Sequence, residues 1–163
     1  MVRPERSEPL PGQESVWDYP RPPRLEATER HLVVRLGATV IAATRHGLRV
    51  LETSHPPTYY FPPADIDVTL LTPAPGRSWC EWKGAASYLD VTVGATHLPR
   101  AAWTYPEPTA PFAALANHVA FYPHQLECLV DDERAEPQNE FYGGWITSHV
   151  AGPFKGPPGT EWW

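Results

Sequence analysis

The chain reads as a mainly β protein: a single small antiparallel β-sandwich or partly open barrel built from hairpins, with one or two short helices and irregular N- and C-terminal arms. Three observations predict this. Short β-branched runs such as "HLVVRL", "TVIAAT" and "ASYLDVTV" have strand length and are separated by Gly, Pro and Asp turns. Only "TAPFAALANHV" carries a strong helix-like spacing. The 163 residues, 42% hydrophobic and 12% aromatic, fit one domain and can bury a real core.

Six prolines in residues 1–24 predict an irregular N-terminal arm over residues 1–30. The core domain is expected at 31–130. It opens with a hairpin, "HLVVRL" to "TVIAAT" through Gly37, followed by a third strand in "LRVLETS". The rigid "HPPTYYFPP" comes next, and Pro62, Pro63, Ala64 and Asp65 suggest one helical turn. "IDVTLLT" resumes the strand pattern, which "PAPG" should stop. "SWCEW", a break at Lys83–Gly84 and "ASYLDVTV" form another hairpin. The helix in "TAPFAALANHV" should start near Thr109 or Ala110, span about two turns and present Phe112, Leu115 and Ala116 on one face. "VAFYP" and "LECLV" read as a last pair of strands, and a Gly/Pro-rich C-terminal arm, 131–163, should pack on the core or on a partner subunit.

Two stretches, "LGATVIAAT" at 36–44 and "VGATHLPRAAW" at 93–103, share a Gly-Ala-Thr turn between apolar strands. "VDDERAE" at 130–136 offers a third tight turn with aspartates at its corners. Hairpins of similar length explain the echo without duplication, because the match is too short for a repeat.

A net charge of -6 without a Lys/Arg cluster lacks the electrostatic footprint for a nucleic-acid polymer or an anionic membrane surface. No stretch has the length or apolarity of a membrane span, and the N-terminus lacks a signal peptide's apolar core, so a cytoplasmic location is expected. The two cysteines, Cys80 and Cys128, are expected as free thiols. His118, His124 and Cys128 match no compact zinc spacing, so neither a metal nor a cofactor is expected. The common nucleotide and hydrolase signatures are absent.

The most pointed compositional signal is lysine. Against eleven arginines there are two, Lys83 and Lys155, each between an aromatic residue and glycine in "WKG" and "FKG". A lysine beside glycine stands where backbone can approach a ligand, and its ammonium is a compact charge suited to phosphate or carboxylate. The alternative is that Gly84 supplies a positive φ to the turn while Lys83 lies over Trp82. On a regular strand Cys80 and Trp82 share a face and Lys83 lies on the other, which makes Cys80 a packed thiol rather than a nucleophile. His55 is expected in a surface loop, although Glu52 and His55 form an acid–base pair if the chain turns there. Most of the clustered aromatics must be core, while Tyr60, Tyr88 and Tyr105 are placed to wall a pocket for a planar ligand.

"IAATRHGLRVLETSHPPTYYFPPADI", "CEWKGAASYLDV", "AAWTYPEP" and "VAFYP", in this order, resemble the bacterial family known as domain of unknown function 427, labelled by some as nucleotidyltransferase-like. The proline-rich start and "FYGGWITSHVAGPFKGPPGT" are similar to its long actinobacterial form. The resemblance implies a small β-rich domain without an established reaction and points to Glu52, Tyr60, Cys80, Lys83, Tyr88, Trp103 and Tyr105. The Gly-Ser motif and paired metal-binding aspartates that a nucleotidyltransferase usually needs are missing here. The expectation is therefore a small anionic or planar ligand bound by Tyr60, Lys83, Tyr88, Trp103 and Tyr105. Lys83, Glu52 and Tyr88 are the candidates for any catalytic role. The alternatives are a structural or interaction module that forms a homodimer through the C-terminal arm, and a nucleotidyltransferase-like enzyme by label alone.

Overall fold

The computed structural model describes residues 3–163; Met1 and Val2, at the start of the proline-rich arm, lie outside the described residues. The strands are β1 (Glu14–Ser15), β2 (Arg24–Thr28), β3 (Leu32–Leu36), β4 (Thr39–Thr44), β5 (Gly47–Leu51), β6 (Thr58–Tyr60), β7 (Leu71–Cys80) and β8 (Gly84–Val93). They continue with β9 (Thr96–Thr104), β10 (Val119–Phe121), β11 (Glu127–Val130), β12 (Glu133–Arg134), β13 (Glu136–Pro137), β14 (Trp145–Ile146) and β15 (Val150–Ala151). The fold is mainly β. Two four-stranded antiparallel sheets, β10-β9-β8-β7 and β12-β11-β3-β4, carry most of it, and β2-β5-β6 forms a third.

The first two sheets share one core. Leu32 and Val34 of β3, Ile41 of β4 and Cys128 and Val130 of β11 meet Val91 of β8, Ala102 of β9 and Phe121 of β10, all buried. Strand alternation sends the neighbouring side chains the other way. Tyr59 points into this core and Tyr60 away from it; Ala102 points in and Trp103 away. The second set, with Tyr60, Ala86, Trp103, Tyr105, Phe112 and Leu115, forms a separate cluster beneath the three-stranded sheet.

The three expected tight turns all close hairpins. Gly37 and Gly94 have φ of 59° and 58° between β3/β4 and β8/β9, conformations that favour glycine. Asp131 and Asp132 at 47° and 69° provide the paired positive φ of a tight hairpin turn between β11 and β12.

Four expectations change. "PAPG" does not stop the strand: β7 runs through it with a register shift between Pro73 and Arg77. β7 is an edge strand paired only with β8, so prolines remove no ladder bond on its free side. The single turn at Pro63–Asp65 is present, but the expected two-turn helix is a 3-10 segment, Ala110–Leu115, kinked at Phe112. Phe112 and Leu115, three apart, still share its buried face, whereas Ala116 is its C-cap. "VAFYP" and "LECLV" supply β10 and β11, which pair with β9 and β3 rather than with each other.

The C-terminal segment enters the sandwich through Trp145, which is fully buried. Its indole N–H donates to the Phe121 carbonyl at 3.2 Å and its backbone N–H to that of Pro57 at 2.8 Å. Its ring packs on Tyr59 and Phe61 at 5.1 and 6.1 Å. The two ends of the chain also join: β1 pairs in parallel with β15, and Trp17 donates its indole N–H to the Pro153 carbonyl at 2.9 Å. No helix of the described residues is long and apolar enough to cross a membrane.

Both thiols are free; Cys128 is buried between the sheets and Cys80 is partly exposed at the end of β7. Burial pushes the Cys128 thiol well above its ordinary range. Titration of the native protein with an aromatic disulfide reagent should therefore modify one thiol rapidly and the second only after denaturation. Cys80→Ser should abolish the rapid phase; rapid modification of both native thiols would contradict this packing.

Candidate functional site

The turn at residues 81–83 is shaped by one backbone conformation and two hydrogen bonds. Gly84 adopts a φ of 103°, a conformation suited to glycine. Thr109 donates its backbone N–H to the Lys83 carbonyl at 3.0 Å and its hydroxyl to the Trp82 carbonyl at 2.5 Å. β7 ends at Cys80, so residues 81–83 do not continue its alternation. This corrects the expectation that Cys80 and Lys83 face opposite sides: both line one cavity of about 310 Å³. The Lys83 ammonium lies 5.7 Å from the centre of the Tyr105 ring, a cation–π contact, rather than the Trp82 contact considered from sequence.

The same cavity is lined by Glu52, Tyr60, Tyr88, Trp103 and Tyr105, so the structure gathers every residue singled out from sequence for ligand binding or catalysis. Tyr60 forms the back wall, with its ring 6.2 Å from Trp103 and 6.4 Å from Tyr105. Tyr122 packs 4.5 Å from Trp103, and the Arg100 guanidinium covers the Tyr88 ring at 3.8 Å. Burial pushes the Tyr60, Tyr105 and Tyr122 phenols up, so they remain protonated donors.

Two charges in this wall are held in their ionised forms. Burial opposes the Lys83 ammonium, but Tyr60, Cys80 and Glu52 outweigh that opposition and raise its pKa; near neutral pH, where the Tyr60 phenol is protonated, the charge that favours the ammonium is the Glu52 carboxylate. Lys83 is thus a fixed cation near neutral pH rather than a free amine nucleophile. Burial likewise opposes the Glu52 carboxylate; His55, Arg21 and Lys83 overcome it and bring its pKa down to about 2. Arg21 approaches Glu52 at 3.1 Å and His55 Nε2 at 3.4 Å.

His55 is not the solvated loop residue expected; its side chain is 14% exposed. The Gln138 amide sets its tautomer. Oε1 of Gln138 accepts from the Gly144 N–H at 3.2 Å, while Nε2 donates to the Lys155 carbonyl at 2.8 Å and reaches His55 Nδ1 at 2.9 Å. Nδ1 therefore accepts, and Nε2 carries the proton directed at Glu52. Neutral His55 in this arrangement has no free ring nitrogen for a ligand, so it positions Glu52 instead of serving as a separate base.

Sequence reasoning missed the opposite wall. Gln138, Phe141, Tyr142, Gly143 and Lys155 all line the cavity. Gly143 lies flat on the Trp103 indole; a Cβ there would come within 2.0 Å of the ring. Lys155 Nζ lies 5.6 Å from the Tyr142 ring centre. The repeated aromatic-Lys-Gly pattern was the one available signal, for it joins the chain's two lysines in one cavity. Trp79 and Phe141, 73% and 75% exposed, also line it. Cys128, one of the three residues tested for zinc spacing, lies in the sandwich core, and no group of three or more metal-ligating side chains converges among the described residues.

Glu52 gives the site a pH signature. Its folded pKa of about 2 lies below the ordinary 4.5, so its contribution to stability is present above about pH 4.5 and is lost as pH falls toward 2. Glu52→Gln should flatten the acid limb of the stability profile in this window by at most about 3 kcal/mol, measured as the difference between urea titrations of mutant and wild type. Identical acid limbs would contradict the paired carboxylate.

The cavity also has a boundary in family space. A family model described as a domain of unknown function (DUF427), with the short label NTP_transf_9, matches residues 24–132. None of the curated proteins matches the chain. The matched span contains Glu52, Tyr60, Lys83, Tyr88, Trp103 and Tyr105, while the wall from Gln138 to Lys155 lies beyond it. With more than half of its residues inside this match, the chain belongs to the DUF427 family.

Proposed function

We propose that the protein binds a small planar anion in this cavity. The observation that carries the reading is the position of Lys83: a protonated ammonium, partly buried and backed by Tyr105, facing a cavity walled by Tyr60, Tyr88 and Trp103. Aromatic walls favour a flat apolar ligand body, and one oriented cation favours a carboxylate or phosphate on it. The neutral phenols of Tyr60 and Tyr105 add hydrogen-bond donors to the same anionic group. Glu52 remains an acceptor suited to an N–H or O–H on the ligand, its charge already paired with Arg21 and its carboxylate approached by the His55 N–H.

A second reading is self-association through the C-terminal segment. Phe141 and Trp162 are 75% and 62% exposed there, which favours a covering surface. Trp163 instead packs against Trp17 of its own chain at 5.7 Å. A monomer mass independent of concentration in light scattering removes this alternative.

The ligand reading is tested with benzoate, a planar monoanion. At a hundredfold excess over its Kd, a native-state ligand stabilises a protein by about 2.7 kcal/mol, giving an upward shift in Tm. Wild type should show this shift and Lys83→Ala should lose it, while both proteins keep the same circular dichroism spectrum. Neutral benzamide should produce a smaller shift. Equal shifts in wild type and Lys83→Ala, or equal shifts with benzamide and benzoate, would overturn the proposal.

A further inference from the structure

The two lysines reach the cavity from separate parts of the chain. Lys83 belongs to the β7–β8 turn inside the family-matched span; Lys155 belongs to the C-terminal segment outside it. Each lies near an aromatic ring, Tyr105 for Lys83 and Tyr142 for Lys155. Among the described residues neither lysine forms a salt bridge, whereas Arg6, Arg21, Arg24, Arg30, Arg35, Arg49 and Arg134 all pair with carboxylates. Glu52, the acidic side chain lining this cavity, is held by Arg21 and His55. The pocket therefore has two ammonium groups without a salt-bridge partner and one carboxylate already matched by an arginine.

The support behind Lys155 is equally defined. Its backbone N–H donates to the Ser54 carbonyl at 2.9 Å, and its own carbonyl accepts from Gln138 at 2.8 Å. Gln138 also contacts His55, which lies against Glu52. The second lysine is thus tied through one amide to the polar cluster of the first wall. Gly143 brings the intervening loop flat onto Trp103, where any side chain would collide with the indole. These contacts give the C-terminal segment a fixed place as the second wall of the cavity.

We infer that residues 138–155 make this pocket selective for planar ligands with two negative charges, one lysine on each wall countering the added charge. The inference rests on the planar-anion reading above and deepens it by naming the ligand class. A mobile counter-ion cannot reproduce two cations held against aromatic surfaces, since partial desolvation strengthens their pull on a bound dianion. The two charges can reside in one phosphate group or in two carboxylates across a ring, and the probes separate these forms.

The experiment measures calorimetric Kd values for benzoate, terephthalate and phenyl phosphate, at a pH where phenyl phosphate is doubly ionised. The proteins are full-length wild type, Lys83→Ala, Lys155→Ala and Lys155→Gln. Lys155→Gln retains a long side chain beside Tyr142 and guards against loss of packing. Wild type should bind at least one dianion about tenfold more tightly than benzoate, corresponding to about 1.4 kcal/mol. Both Lys155 variants should lose this preference, binding that dianion no more tightly than benzoate. Preference for phenyl phosphate assigns both charges to one group; preference for terephthalate places them across the ring. Benzoate binding that depends on Lys83, with neither dianion favoured or with no effect at Lys155, overturns the dianion inference alone. Absence of Lys83-dependent binding for all three probes overturns the underlying reading as well.

Discussion

The insertion of Trp145 between the sheets is the constraint on which the rest depends. A buried indole of this size contributes several kcal/mol through its apolar area, and its N–H finds the Phe121 carbonyl without leaving the core. Its backbone N–H meets Pro57, the residue just before β6. One side chain thus ties the C-terminal segment to the strand that carries Tyr59 into the core and Tyr60 into the cavity. That attachment adds to the bonds of Lys155 to Ser54 and of Gln138 to His55 that place the second wall relative to Lys83.

Alternation along the strands divides the aromatic surplus between two tasks. Tyr59 and Phe61 enter the sandwich, while Tyr60, Tyr88, Trp103 and Tyr105 face or border the cavity. Charge is divided in a similar way. Several arginines form pairs away from the cavity, exemplified by Arg49 with Glu14 and Arg30 with Asp131, both involving partly exposed carboxylates, while Arg21 and Arg100 meet the cavity residues Glu52 and Tyr88. Both lysines line the cavity, each beside an aromatic face.

Much of the fold was legible because its determinants are local. The β-branched runs, Gly37, Gly94 and the Asp131–Asp132 pair specify strands and turns within a few residues of themselves. The first wall was legible for the same reason: Cys80, Lys83 and Tyr88 flank one turn, and Tyr60 and Trp103 stand in short aromatic-rich stretches. Pairing between distant strands was not. "VAFYP" and "LECLV" look adjacent in sequence, but burial of Phe121 and Cys128 is satisfied by different sheet partners. The second wall depends on Trp145 meeting Phe121 and Gly143 meeting Trp103, contacts without a local signature. Edge-strand tolerance of proline similarly concealed the continuity of β7.

The contacts of Trp145, Gly143 and Lys155 with the β-core imply that the C-terminal segment and the core form one cooperative unit, with the cavity at their seam. Native-state hydrogen exchange of the full chain tests it most directly. In one cooperative unit the Trp145 amide, bonded to Pro57, should open with the same free energy and denaturant dependence as amides of β3 in the sandwich core. Exchange of Trp145 through a much cheaper local opening, while β3 remains protected, would show that the C-terminal segment opens independently of the core.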